Sequence, residues 1–240
     1  MDMDIQPMTQ VDSSAQEFWL EQLGSSPAIN DWYFSKIRNH LGAKVLEIGC
    51  GVGTFTRLIG ETGAEVLGLD INKEFVEVAR QATSDIDLVK VDQADVTNGD
   101  WNKEFDTVVA LDVIEHIEDD RAMLEALFAA LHPGGTAIIK VPAMQSIYGT
   151  LDEVVGHYRR YSRKTIEAVM SEAGFESIDV HYFNVPGILG WWLNGSLLRR
   201  TVPSAGQVEM FERLLPVVRA VDFVSPNCLG LSIVATATRP

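Results

Sequence analysis

Apolar residues along this chain follow two rhythms, and the switches between them mark where elements begin and end. Short runs rich in Val, Ile and Leu recur at KVLEI (44–48), EVLGLD (65–70), DLVKV (87–91), FDTVVAL (105–111) and GTAIIKVP (135–142). Bounded by Gly, Asp and Pro, they read as strands. Most are separated by helical patterns: TFTRLIGE, KEFVEVARQA and DRAMLEALFAAL. In the last of these, Met123, Leu124, Leu127, Phe128 and Leu131 share one face, and His132-Pro133-Gly134-Gly135 ends the helix. Alternation of this kind predicts an α/β fold, a mainly parallel sheet with helices on both faces.

The pattern loosens after Pro142. A loop (143–161) leads to a helix at 162–173, with Ile166, Val169 and Met170 on one side and Gly174 as its stop. FESIDVHYF (175–183) reads as a strand, residues 186–222 as helical and aromatic, and LGLSIVATAT (229–238) as a last strand, seven in all. Ahead of the first strand, residues 1–14 read as a flexible tail and 15–41 as a helical lid. That lid has two amphipathic stretches, around Phe18, Trp19, Leu20 and Leu23 and then Trp32, Tyr33, Ile37 and Leu41. The expected organisation is a core domain of 42–183 with 228–240, and a helical insertion at 184–227 that caps it.

Composition narrows the partners. The 240 residues carry a net charge of −15, the wrong sign for gripping a phosphate backbone, so nucleic acid is not expected. Two cysteines are too few for a disulfide framework and suit a reducing cytosol. The start, MDMDIQPMTQ, lacks the basic-then-apolar order of a signal peptide. The longest apolar stretch, VPGILGWWLNGSLL (185–198), is interrupted by Gly187, Gly190, Asn194 and Gly195. It falls short of the roughly 18–20 residues a membrane-spanning helix needs.

The candidate chemistry begins at LEIGCGVGTFT (46–56), where a strand stops, glycines come at alternate positions and a helix starts. Glycines allow positive φ and let a ligand approach the backbone closely. A dinucleotide fingerprint would be G-x-G-x-x-G, but counting from Gly49 the sixth place here is Thr54. Glu47, two residues before the first glycine, is poor company for a pyrophosphate and suits a ligand with a cationic end. Asp70 ends the second strand, 23 residues beyond Glu47, where its two oxygens could accept both hydroxyls of a ribose. Alternatively, it caps the next helix. Asp95 and Val96 follow the third strand, with Asp92 as an alternative acid for an adenine amino group.

Together these residues resemble the class I S-adenosylmethionine-dependent methyltransferases, of the bacterial small-molecule type. LEIGCGVGTFT is similar to the family's first motif, VLGLDIN to the second, QADV to the third, and FDTVVALDVIEHIED with LHPGG to the later ones. The likeness covers about residues 29–183. It implies a Rossmann-like seven-stranded sheet with an antiparallel last strand and helical lid additions at both ends. It also implies S-adenosyl-L-methionine as cofactor and S-adenosyl-L-homocysteine as product. Glu47, Gly49, Cys50, Gly51 and Gly53 would lie near the methionine part, Asp70 and Ile71 at the ribose, Asp95 and Val96 beside adenine, and Leu111 at the amino-acid end. Cys50 reads as a small filler, and Asp112, Glu115 and His116 as residues ordering the loop after strand four.

Methyl transfer from a sulfonium is an in-line displacement, so alignment and exclusion of water, about 7–11 kcal/mol in ideal cases, do most of the work. The implied acceptor is a small or mid-sized organic molecule, a secondary metabolite for example, methylated on O, N or C. No metal is implied, because no His/Asp/Glu/Cys set stands at ligand spacing in the sequence. The acceptor chemistry is expected at GHYRRYSRK (156–164). There His157 and Tyr158 are the candidate catalytic residues, His157 as base or orienting donor. Arg159, Arg160 and Tyr161, with Trp32, Tyr33 and Trp191 as an aromatic roof, are the candidate acceptor contacts. The plainer reading has His157 and the tyrosines stitching the loop to the sheet. A homodimer is compatible with the aromatic surface. Two other functions fit parts of the pattern: a non-catalytic S-adenosylmethionine-binding partner or sensor, and an NAD(P)-dependent oxidoreductase.

Overall fold

The computed structural model describes residues 26–99, 101, 104–202, 206–225 and 227–240. The expected tail and the first amphipathic stretch, with Phe18 and Trp19, lie outside them. Among the described residues the strands are β1 (Lys44–Ile48), β2 (Glu65–Asp70), β3 (Val89–Gln93), β4 (Phe105–Leu111), β5 (Leu131–Pro142), β6 (Glu176–Phe183) and β7 (Ser232–Thr238). They form one sheet in the order β3-β2-β1-β4-β5-β7-β6. The pairs from β3 through β5 are parallel, and β7 runs antiparallel to both of its neighbours. The order reverses between β1 and β4, where open α/β sheets leave a crevice at the strands' carboxyl ends.

Strand alternation divides the core. Leu46, Val108, Ile139 and Ile233 join one buried cluster, whereas Val45, Val109, Ile138 and Val234, each next in the chain to one of those, join the other. Successive side chains point to opposite faces of a strand, so each apolar run serves both layers. The first layer is roofed by α4 (Asp120–Ala130) and α6 (Arg163–Glu172), through Leu124, Leu127, Ile166 and Met170. The second is roofed by α1 (Pro27–Ile37), α2 (Thr54–Gly60) and α8 (Gln207–Val224), through Trp32, Ile59, Leu215 and Val218. Helix α3 (Lys73–Ala82) adds Val76 and Ala79 to a small cluster with Cys50.

Two elements depart from the sequence pattern. The segment expected as a loop at 143–161 contains a short helix, α5 (Thr150–Val155), closed by Gly156 at φ 83°. Its apolar pair Leu151 and Val155, four apart, is too brief a signal to show a period. Strand β5 begins at Leu131, the last residue of the expected helix, and runs through the expected terminator; its register against β4 slips between Phe105 and Thr107. The His132–Gly135 turn is absorbed into that irregularity. Among the described residues of 184–227 are α7 (Val185–Trp191), a π-turn at Trp192–Leu197, and α8.

Candidate functional site

The glycine loop leaves β1 and enters α2 directly. Gly49, Gly51 and Gly53 all have positive φ, at 67°, 53° and 86°. At Gly49 a Cβ would stand 2.5 Å from Val113 Cγ2, so any side chain would collide with the segment after β4 as well as strain the backbone. The loop is fastened from the neighbouring strand. Asp70 Oδ2 accepts from Gly51 N at 2.9 Å, and Asp70 Oδ1 accepts from Asn72 N at 2.8 Å. Capping of α3 falls to Asn72, whose side chain accepts from Glu74 N and Phe75 N. Asp70 is therefore not the helix cap, and its carboxylate belongs to the loop. Ile71 beside it is 72% exposed.

Glu47 lies beneath this loop at 3% exposure, and its Oε2 has no hydrogen-bond partner. Thr56 Oγ1, also buried, is unpartnered too. Burial pushes the Glu47 carboxyl up to about 8, with the nearby Thr56 hydroxyl tempering the rise and Asp70 adding to it. A folded-state pKa above the unfolded one means that the folded chain holds a proton the unfolded chain has lost. The stability this contributes is complete below about pH 4.5 and is lost as pH rises through about 8. Glu47→Gln is accordingly expected to gain about 2–4 kcal/mol on the wild type between about pH 5 and about pH 8. Urea unfolding at both pH values checks this, and a constant difference would mean that Glu47 titrates normally.

Cys50 turns its thiol into the cluster with Val76 and Ala79, where burial raises its pKa; only its backbone belongs to the loop. Asp95 caps the turn at 96–98, accepting from Thr97 N, Thr97 Oγ1 and Asn98 Nδ2, and Val96 is a core residue at 2% exposure. Asp92 pairs instead with Arg80 at 3.0 Å and lines a cleft of 460 Å³ with Gln93, Ala94 and Trp101. Leu111 ends β4, half-buried against the second core layer.

Beyond β4 the structure assembles groups that the sequence keeps apart. Asp112, at φ 55°, pairs with Lys140 of β5, which is 5% exposed and lies 4.7 Å from the Tyr33 ring centroid. Burial pushes the Tyr33 phenol up, partly countered by the Lys140 charge. Lys140 escaped the sequence reading, although a lysine inside the apolar run AIIKVP was a signal that something must pair with it. Asp152 of α5 is fully buried and is a hub. It accepts from His157 Nδ1 at 2.8 Å, Arg160 Nε at 2.7 Å, Trp191 Nε1 at 3.1 Å and Gly149 N at 3.1 Å. Burial alone would raise its carboxyl, but the His157 hydrogen bond and the Arg160 charge outweigh it and hold it below the ordinary value.

These contacts revise the expected acceptor residues. Arg160 is buried, bonded to Asp152 and to the Ala143 carbonyl at 2.9 Å, with its guanidinium over Trp191. Arg159 is held by Asp120 at 2.8 Å and by the Glu118 carbonyl at 2.7 Å. The Tyr161 hydroxyl donates to Asp120 at 2.6 Å. Each arginine therefore already has a carboxylate partner, Asp120 for Arg159 and Asp152 for Arg160. Trp32 is 1% exposed and packs against Tyr33, Phe183 and Phe211, so it supports the roof from within. Tyr158 points outward at 45% exposure. His157 faces inward, its ring 4.7 Å from that of His116, with Nε2 3.9 Å from Glu115 Oε1. Glu115 is fully buried and both of its carboxylate oxygens lack hydrogen-bond partners. Burial, then the neighbouring His157, lowers the His116 pKa to about 4.

Known proteins share both the sequence and the shape. A family profile described as a methyltransferase domain matches residues 30–180. The ubiquinone biosynthesis O-methyltransferase of Idiomarina loihiensis is 35% identical over 116 residues, which cover 45% of this chain and 47% of that protein. The human mitochondrial ubiquinone biosynthesis O-methyltransferase is 33% identical over 126 residues, 47% of this chain and 34% of that protein. The chain thus spans about half the length, or less, of these curated relatives. Among solved structures, a SAM-dependent methyltransferase of Thermotoga maritima superposes with a TM-score of 0.64 at 18% identity, covering 95% of this chain and 96% of that one.

Proposed function

The chain belongs to the methyltransferase-domain family, and from that premise we propose that it transfers the methyl group of S-adenosylmethionine to a small-molecule acceptor. The observation that carries the reading is Glu47: a buried carboxyl with an unpartnered oxygen, under a glycine loop whose backbone is tied to Asp70. A lone buried acceptor of this kind costs about 1–3 kcal/mol unless a donor arrives. The ammonium end of the cofactor's methionine part is such a donor, and a pyrophosphate is not. The residues present therefore fit this cofactor. Glu47 would hold the amino group, the 49–53 backbone would line the methionine part, and Asp70 would accept from the ribose. Bound there, S-adenosylmethionine supplies a methyl group on a sulfonium that is itself a good leaving group.

The chain's remaining work is to orient the acceptor and keep water out. Tyr33 and Trp191 are the rings that would face the acceptor in this reading; each is held by a cation, Lys140 or Arg160, that has its own carboxylate. Oxygen is the proposed acceptor atom, supported by the names of the curated relatives. No helix among the described residues is long and apolar enough to cross a membrane. A cytosolic place and a homodimeric state complete the proposal, the former supported by the free cysteines Cys50 and Cys228.

Calorimetric titration with S-adenosylhomocysteine and with NADH separates the competing readings. Binding of the nucleoside product is expected, with net proton release near neutral pH, because Glu47 must lose its proton to meet an ammonium. Heats measured in two buffers of different ionisation enthalpy report that proton. Binding of NADH alone would overturn the reading in favour of an oxidoreductase. A protein that binds S-adenosylmethionine but forms no S-adenosylhomocysteine with any acceptor extract would be a sensor or partner.

A further inference from the structure

Glu115 is a buried carboxyl whose nearest permanently charged neighbours already hold other partners among the described residues. Lys140 is committed to Asp112, and Arg160 to Asp152 and the Ala143 carbonyl. Glu115 is left fully buried, with neither oxygen hydrogen-bonded. A buried carboxylate in that state is disfavoured by several kcal/mol unless something positive joins it, or a proton neutralises it.

What surrounds Glu115 indicates what would join it. His116 follows it on the same turn, and the backbone bond from Tyr158 N to the Glu115 carbonyl, 2.8 Å, draws His157 against that turn. One oxygen of Glu115 and one ring nitrogen from each histidine lie within 4.8 Å of one another. The ring of His157 is also oriented. An ionised Asp152 can only accept, so the His157 Nδ1 facing it at 2.8 Å carries the hydrogen. Its Nε2 is then a lone pair directed toward Glu115. A carboxylate behind an imidazole, fixing tautomer and direction, is the usual support of a metal-bound histidine.

We propose that Glu115, His116 and His157 bind one divalent transition-metal ion of the zinc class, with Asp152 orienting His157. Two imidazoles and one carboxylate form a borderline donor set, which favours zinc over magnesium. Bonds of about 2.0–2.2 Å in a tetrahedral site put ligand atoms about 3.3–3.6 Å apart, so the three groups need to close by about 1 Å. Three protein ligands leave a fourth position for water or an acceptor oxygen. The proposal does not depend on the methyl-transfer reading, because its test measures the ion and not turnover.

The test uses the untagged 240-residue chain, stripped with a chelator and titrated with Zn²⁺, Mn²⁺ and Mg²⁺ in separate calorimetric runs. The expected result is one Zn²⁺ per chain, bound at least about tenfold more tightly than Mg²⁺. Glu115→Gln should weaken zinc by about a hundredfold, and Asp152→Asn by about tenfold or more. His181→Ala is the control: among the described residues its exposed ring pairs with Asp179 of β6 and with Asn227, away from the three proposed ligands, so zinc binding should not change. Because Glu115→Gln can fail to fold, Co²⁺ added to the stripped wild type gives an independent answer. Visible d–d bands of a low-coordinate site with nitrogen ligands are expected, and they should disappear in His157→Gln. Absence of those bands, preference for Mg²⁺, or full zinc affinity in Glu115→Gln would each overturn the assignment.

Discussion

Asp70→Ala is expected to weaken S-adenosylhomocysteine binding by about 10²- to 10⁴-fold, the largest effect of any single change at the cofactor site. The reason is that one carboxylate has two tasks. It holds the glycine loop against the end of β2 through Gly51 N and Asn72 N, and in the proposed binding mode its remaining lone pairs would accept from the ribose. Hydrogen bonds to a charged group are worth about 1.5–3 kcal/mol each, and alanine removes those to the ligand while releasing the backbone that shapes the cradle. Asp70→Asn keeps one accepting oxygen and should fall between wild type and alanine. Calorimetry on variants whose melting temperatures match the wild type checks the ordering. An alanine variant within about threefold of wild type would remove Asp70 from the site.

Asp152→Ala is expected to destabilise the fold by about 3–5 kcal/mol, lowering the melting temperature by about 6–20 °C. The side chain is fully buried and its two oxygens accept from His157, Arg160, Trp191 and Gly149. Removing it leaves the Arg160 guanidinium, 1% exposed at its side chain, without its counter-charge. An uncompensated buried charge costs far more than the pair itself contributes, so the double variant Asp152→Ala/Arg160→Met should recover much of the loss. Thermal and urea melts of the single and double variants read the coupling directly. A drop below about 2 °C in the single variant would show that water replaces the carboxylate in the hub.

The glycine loop and its tie to Asp70 were legible in the chain because their parts are local. LEIGCGVGTFT combines a strand end, positive-φ glycines and a helix start within one stretch, and Asp70 is one helix and one strand away. Parallel strands with short connections bring such neighbours together by topology alone. The acceptor side was less legible. GHYRRYS stood out for its cations and phenols, but charge in a sequence does not say whether its partner is a ligand or another residue. Arg159, Arg160 and Tyr161 proved to be satisfied internally, by Asp120 and Asp152. Asp152 itself lay hidden in a six-residue helix, too short for its apolar pair to show a period. Glu115 and His116 were visible as residues, but their meeting with His157, some forty positions on, was not.

The order of strands and helices, the two-layer alternation and the glycine turn were determined by the sequence itself, since each follows from periodicity and local backbone preference acting over a few residues. Only the tertiary structure decided which charges would be matched. A buried ion finds its partner across the sheet and between loops, where the separation in sequence carries no information. Thus Lys140 takes Asp112, Arg160 takes Asp152, and Glu47 and Glu115 are left with unpartnered oxygens. Those vacancies are properties of packing, because burial sets their cost and only the folded neighbours determine whether it is met.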